Sequence, residues 1–233
     1  MDAAGAHSAA ADLYGRGTVT DTTPGTLVFF AGPMDSGKST LALQMAHTQS
    51  AHDRAGQLFT SQDRAGDAHI TSRIGLERPA IEVSDDFSFV EHIRAQTKLG
   101  HRVDFLVCDE AQFYTPAQID ELALLVDELG MDVFCFGIMA DFRSQLFPGS
   151  KRLVEIADRV ETMPVRPLCW CGRPGIHNAR VINGVMVTEG SQVLVGDTSP
   201  GELHYEVLCR VHHRLRQPKA VGATLSPAAL PFS

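Results

Sequence analysis

The sequence predicts an α/β fold, a parallel sheet flanked by helices, followed by a small second lobe. Three observations predict it. As far as about residue 164, short apolar runs alternate with longer stretches of helical spacing. The runs are almost wholly apolar, as in strands covered on both faces and joined by right-handed crossovers. Past Pro164 the style changes to turns, short β runs and clustered cysteines.

Each element has its own signal. Residues 1–23, rich in Ala, Gly and Thr, read as a flexible tail. Thr26–Ala31 is the first apolar strand, and the stretch after "GPMDSGKST" spaces Leu41, Met45 and Thr48 as a helix does. "GQLFTS" is a second strand, and "DDFSFVEHIRAQTKLG" a helix stopped by Gly100. "VDFLVCDE" is the third strand. "TPAQIDELALLVDELG" has Thr115 as N-cap, Pro116 at the first helical position and Gly130 past the end. "MDVFCFGIM" is the fourth strand, and "KRLVEIADRVETM" is read as one more amphipathic helix. In the second lobe, short β runs are expected at Ala179–Ile182, Gly184–Thr188 and Gln192–Val195, with Asn183-Gly184 as a hairpin turn. The expected organisation is a main domain over 24–164, a lobe over 165–217, and a second flexible tail over 218–233.

Composition narrows the function. The chain has 233 residues, 44% of them hydrophobic, and a formal net charge of -8. Such a chain has material for a real core, but it lacks the basic excess that binds nucleic-acid backbones. A phosphorylated small molecule needs only a few local groups. The N-terminal residues lack a basic segment followed by an apolar one, and no apolar run approaches a membrane span in length. No nucleic-acid or membrane partner is expected, and the expected location is the cytoplasm. Three of the five cysteines fall in the last third beside histidines, which in a reducing compartment points to metal rather than disulfides.

Gly32 to Ser39 reads "GPMDSGKS", a complete G-x-x-x-x-G-K-[ST] with a strand before it and a helix after it. Gly32, Pro33, Met34, Asp35, Ser36 and Gly37 form a loop whose amides can cradle phosphate oxygens. Lys38 reaches the β and γ phosphates, and Ser39 ligates Mg²⁺. The fold expected is therefore P-loop NTPase-like. The third strand ends in two carboxylates, Asp109 and Glu110. Asp109, at the carboxyl end of a parallel strand, fits the Mg²⁺-side acid. Adjacent residues on a strand point opposite ways, so Glu110 has a different task. It either polarises a water, as in an ATPase, or takes a proton from a substrate hydroxyl, as in a kinase; capping the next turn is the structural alternative.

Cys169 and Cys171 open the second lobe and Cys209 and His212 close it. C-x-x-H suits a zinc knuckle, whereas C-x-C is one residue shorter than the usual pair. The closing ligand is His212 or His213, and spacing favours His212. Cys108 and Cys135 lie within apolar strands and read as core.

"GPMDSGKST", "DEAQFY", "DFR" and the Cys/His knot occur together over residues 24–215. In this combination the chain resembles the thymidine kinases of the zinc-containing cellular type, in their bacterial form. The resemblance implies ATP and thymidine as substrates, Mg²⁺ with the ATP, a structural Zn²⁺ and a homotetramer. It implies that Glu110 is the catalytic base for the nucleoside 5′-hydroxyl. It places Asp109, Ala111, Gln112 and Arg64 with the ATP and Mg²⁺, and Arg143 near the site. It places Phe142, Phe113 and Met34 around the thymine. Gln192, Val193, Leu194, Val195 and Gly196 would form a lasso segment that hydrogen-bonds the base, with Tyr205 in the same pocket. The chain departs from the family in its C-x-C spacing, in Asp35 where an aromatic residue is frequent, and in a longer stretch before Tyr205. The rival reading is a P-loop ATPase coupled to nucleic acid or a partner, with the zinc unit as docking module. A non-catalytic nucleotide-binding zinc protein is a third, and it would not need Glu110.

Overall fold

A computed structural model describes residues 25–61, 68–192 and 203–220. The chain forms two compact units. The first takes in the described residues up to Ala31, then Lys38–Gly137 and Pro148–Glu161. The second takes in Gly32–Gly37, Ile138–Phe147 and the chain from Thr162 onward.

The first unit is the α/β sheet. Its elements are β1 (Leu27–Ala31), α1 (Lys38–Ala51), β2 (Gly56–Thr60), a hairpin of β3 (His69–Thr71) and β4 (Glu77–Pro79), and β5 (Ile81–Glu82). Then come α2 (Phe89–Lys98), β6 (Phe105–Cys108), α3 (Pro116–Leu129), β7 (Asp132–Gly137), α4 (Pro148–Ile156) and β8 (Arg159–Thr162). The sheet order is β5-β2-β6-β7-β1-β8. The pairings from β5 across to β1 are parallel, with Cys108 opposite Cys135 and Phe29 also opposite Cys135. The carboxyl ends of β1, β6 and β7, at Ala31, Cys108 and Gly137, therefore share one edge. All four residues of β6 are buried, and Val28, Val107, Phe134 and Phe136 pack with Ala42, Leu43 and Ala46 of α1. Uniform burial explains the uniformly apolar runs.

Local chemistry bounds α3 where it was expected to. Thr115 accepts from the Gln118 amide while the Gln118 side chain accepts from the Thr115 amide, a reciprocal capping box, and Gly130 closes α3 at φ 65°. Ser88 caps α2 through its hydroxyl, which accepts from the Glu91 amide.

Two parts of the sheet differ from the sequence reading. Four strands were expected and six are present, because β5 and β8 extend the edges. The helix expected through Met163 stops at Ile156. Asp158 instead accepts the Leu27 amide of β1 at 2.7 Å, and Arg159–Thr162, with β-branched Val160 and Thr162, runs extended alongside β1. All four residues of β8 are exposed, so an apolar pattern could not reveal it.

The second unit holds a three-stranded antiparallel sheet, order β10-β9-β11, from β9 (His177–Ile182), β10 (Val185–Val187) and β11 (Leu203–Leu208), and then α5 (Arg210–Arg214). Asn183 and Gly184 turn the hairpin at φ 50° and 76°, the doubly left-handed turn that Asn-Gly favours. The strand at Leu203–Leu208 was not among the expected β runs. Of the run expected at Gln192–Val195, Gln192 is in no strand and the rest lies outside the described residues. The apolar cluster of this sheet is small: Cys169, Ala179, Met186, Leu208 and Cys209. Among the described residues no helix is long and apolar enough to cross a membrane.

Candidate active site and metal centre

In the sheet unit, four charged or polar groups gather at the carboxyl edge. Lys38 and Ser39 open α1, and Lys38 is buried. Asp109, 3% exposed, follows β6 and bonds to the Ser39 hydroxyl. Burial and then the neighbouring Glu110 charge push the Asp109 carboxyl up from 3.8 to about 6; Ser39, the Glu110 amide and Lys38 pull the other way. Burial thus makes the charged form of this acid costly.

Glu110 is not on the strand. β6 ends at Cys108, and Glu110 adopts a left-handed backbone, φ 52° and ψ 32°, at the start of a single 3-10 turn over Ala111–Phe113. The separation of the two acids is thus set by a backbone turn rather than by strand alternation. The Gln112 amide nitrogen donates to the Glu110 carboxylate. Gln112 is fully buried against Gly137, where a Cβ would stand 2.7 Å from its Oε1. A side chain at 137 would displace the group that holds Glu110. Ala111 is buried and Phe113 half-buried.

The Gly32–Gly37 loop belongs to the second unit. Its Met34 amide donates to Asn178 Oδ1 at 2.8 Å, and Asn178 Nδ2 donates to the Ala140 carbonyl at 3.2 Å. The buried Ser36 hydroxyl donates to the Pro33 carbonyl at 2.8 Å. A Cβ on Gly32 would stand 2.5 Å from the Ser36 hydroxyl and 2.6 Å from Met163 Cγ. Asp35 is exposed and left-handed, φ 64°, as is Gly37 at φ 78°. In the same unit Phe142 is buried, 2% exposed. The Asp141 carboxylate accepts from the Arg143 amide and guanidinium at 2.8 and 2.9 Å, and from Gln192 Nε2 at 3.2 Å. The Tyr205 hydroxyl accepts from Arg180 Nε at 3.0 Å. Asn178, Asp141 and Arg180 were not foreseen, since single polar residues on short strands and turns carry no periodic signal.

The cysteines converge. The Sγ atoms of Cys169, Cys171 and Cys209 and a ring nitrogen of His212 lie within 4.8 Å of one another. Cys171 and Cys209 sulfurs are 3.9 Å apart, and Cys169 Sγ is 3.3 Å from His212 Nδ1. A tetrahedral site with metal–sulfur bonds of about 2.3 Å sets its sulfurs roughly 3.8 Å apart, close to the Cys171–Cys209 separation, so the donor set could hold a metal. The C-x-C pair thus reaches one centre despite its short spacing. His213 turns away: it stacks on His177 at 4.8 Å, and its Nε2 bonds to the Phe142 carbonyl at 3.0 Å. Trp170 stacks on His212 at 4.0 Å. Arg64 and the segment Val193, Leu194, Val195 and Gly196 lie outside the described residues.

The parallel sheet, the lysine and serine that open α1, the acids after β6 and the small Cys/His lobe define a P-loop NTPase-like α/β protein with a second unit whose Cys/His cluster could hold a metal. The family model described as Thymidine kinase matches residues 25–213. A thymidine kinase of Cutibacterium acnes is 61% identical over 208 residues, 88% of this chain and 96% of that protein. One of Streptomyces coelicolor is 56% identical over 211 residues, covering 89% and 98%. One of Lactobacillus johnsonii is 39% identical over 195 residues, covering 80% and 95%. The chain belongs to the thymidine kinase family and is an enzyme of that class.

Proposed function

We propose that the chain transfers the γ-phosphoryl group of Mg²⁺–ATP to the 5′-hydroxyl of thymidine. The observation that carries this is the carboxylate pair after β6: a buried Asp109 bonded to Ser39, beside a partly exposed Glu110 held by Gln112 and set apart by a left-handed turn. Two acids in unlike environments take unlike tasks. Asp109 and Ser39 serve the Mg²⁺ side of ATP, and Lys38 with the Gly32–Gly37 loop serves the phosphates. Glu110 accepts the 5′-hydroxyl proton as that oxygen bonds to the γ phosphorus. The bond to the bridging oxygen breaks, and ADP and thymidine 5′-monophosphate leave. Lys38 and the metal offset charge on the transferring group, so catalysis is mainly positioning and electrostatics.

Phe113, Phe142, Gln192 and Tyr205, with Met34 and the lasso to Gly196, receive the base in this reading. Zn²⁺ is the metal that the three thiolates and one imidazole suit best, and its role is structural. Assembly as a homotetramer and location in the cytoplasm are part of the same proposal and rest on the family resemblance. The test is ADP formation from Mg²⁺–ATP with each of the four common deoxynucleosides, and with none. Turnover with thymidine, yielding its 5′-monophosphate, is expected. Equal turnover without any nucleoside makes Glu110 the residue that positions water and the chain an ATPase.

A further inference from the structure

Arg180 has no assigned task in this mechanism, yet among the described residues it is the largest side chain that is almost completely buried, at 2% exposed. It stands in the middle of β9. Its guanidinium carbon lies 3.9 Å from the centroid of the Phe142 ring and 5.6 Å from that of Tyr205. Its nitrogens donate to three oxygens: Nε to the Tyr205 hydroxyl at 3.0 Å, Nη1 to the Ser191 carbonyl at 2.9 Å, and Nη2 to the Gln192 carbonyl at 3.1 Å. Arg143 Nη1 takes the preceding carbonyl, that of Gly190, at 3.3 Å. Three successive carbonyls, at 190, 191 and 192, are each held by a guanidinium.

Among the described residues the partners of Arg180 are neutral oxygens and aromatic faces; none is a carboxylate. Burying a cation without a counter-charge is costly, and an apolar side chain would fill the same space on β9 more cheaply. What an apolar chain could not do is hold, in one planar fork, a ring face, a phenol oxygen and two backbone carbonyls. Those groups belong to Phe142, Tyr205 and Gln192, the residues read above as receiving the nucleoside base.

We propose that Arg180 is a positioning residue for thymidine. It ties the Phe142 ring, the Tyr205 hydroxyl and the backbone at Ser191–Gln192 into one preset frame, and it thereby sets nucleoside affinity without taking part in phosphoryl transfer. The proposal rests on the reading that Phe142, Gln192 and Tyr205 receive the base. A frame ordered before binding spares the ligand the entropy of ordering it. Loss of the fork therefore weakens thymidine and leaves ATP alone.

The experiment is steady-state kinetics of the full chain with bound metal, varying thymidine and ATP in turn, for wild type, Arg180→Lys, Arg180→Gln and Tyr205→Phe. Lysine keeps the charge but not the fork, so both Arg180 variants are expected to raise the KM for thymidine by about tenfold or more, the scale of one lost charged hydrogen bond. The KM for ATP stays within about twofold and kcat changes much less than the thymidine KM, the pattern of lost binding common to ground and transition states. Tyr205→Phe removes one of the three bonds and gives a smaller rise in the same direction. An unchanged thymidine KM in a folded Arg180 variant overturns the proposal, and so does an equal loss for both substrates. Should neither Arg180 variant fold, Tyr205→Phe decides: no change in thymidine KM sinks the idea. Wild-type protein without thymidine-dependent turnover defeats the functional reading itself, and this proposal with it.

Discussion

Glu110 occupies a left-handed backbone at φ 52°, which for a residue other than glycine costs on the order of 1 kcal/mol or more. Gln112 holds its carboxylate, and Gln112 in turn depends on the missing side chain of Gly137. Such a layered arrangement suits a group whose position matters for chemistry. Glu110→Gln keeps the shape and removes the base, so thymidine-dependent turnover should fall roughly 10²–10⁴-fold while nucleotide binding by calorimetry persists. Near wild-type turnover would remove Glu110 from the mechanism. Asp109 offers a second prediction, on stability. Its carboxyl is raised by burial first and by Glu110 second, from 3.8 to about 6. The folded chain therefore holds this proton at pH values where the unfolded chain has lost it. The stability it lends is complete below about pH 4 and fades as pH rises through about 6, a change of up to about 3 kcal/mol. Asp109→Asn should thus raise the melting temperature of the nucleotide-free protein at pH 7 while abolishing turnover. A lower melting temperature at pH 7 would contradict the account.

The helices show which elements a sequence can announce. α3 was readable at both ends because Thr115, Pro116 and Gly130 act through local backbone geometry alone. Thr115→Ala removes one half of its capping box and should lower stability by about 1 kcal/mol, seen as a shifted denaturation midpoint, with thymidine and ATP KM values unchanged. The end of α4 was not readable. Its spacing continues past Ile156, but Asp158 is taken by the Leu27 amide and the next residues by the sheet edge. β3 is only three residues long, and β4 and β8 are exposed throughout, so no apolar period marks them.

The two units draw on different sources of stability. The sheet unit carries four helices of nine to fourteen residues and a wide apolar core. Among the described residues the second unit has the five-residue α5, a five-residue buried cluster and the Cys/His centre. A small β unit of this kind needs more than its apolar cluster, and the Cys/His centre could supply it by holding a metal. Trp170, the single tryptophan, stacks on His212. Chelation should therefore shift tryptophan emission strongly, while helical circular dichroism, which comes mainly from the sheet unit, changes little. Thymidine affinity should fall in parallel, because His213, next to His212 of the Cys/His centre, bonds to the Phe142 carbonyl. Emission unchanged after complete metal removal would show that the cluster does not hold the lobe.

From sequence alone came the alternating α/β plan, the G-x-x-x-x-G-K-[ST] loop from Gly32 to Ser39, the paired acids and the four side chains that could hold a metal. Each is written in local spacing: apolar period, glycine placement, a strand running into carboxylates, cysteines near a histidine. Tertiary structure alone decided between His212 and His213 and brought a C-x-C pair to one centre. It alone placed Gln112 on Glu110, Asn178 on Met34 and the Arg180 fork on Phe142. Asn178 on Met34 and Arg180 on Phe142 join residues far apart in the chain, and Gln112 reaches Glu110 only through a left-handed turn; a lone polar residue has no period that would reveal its partner.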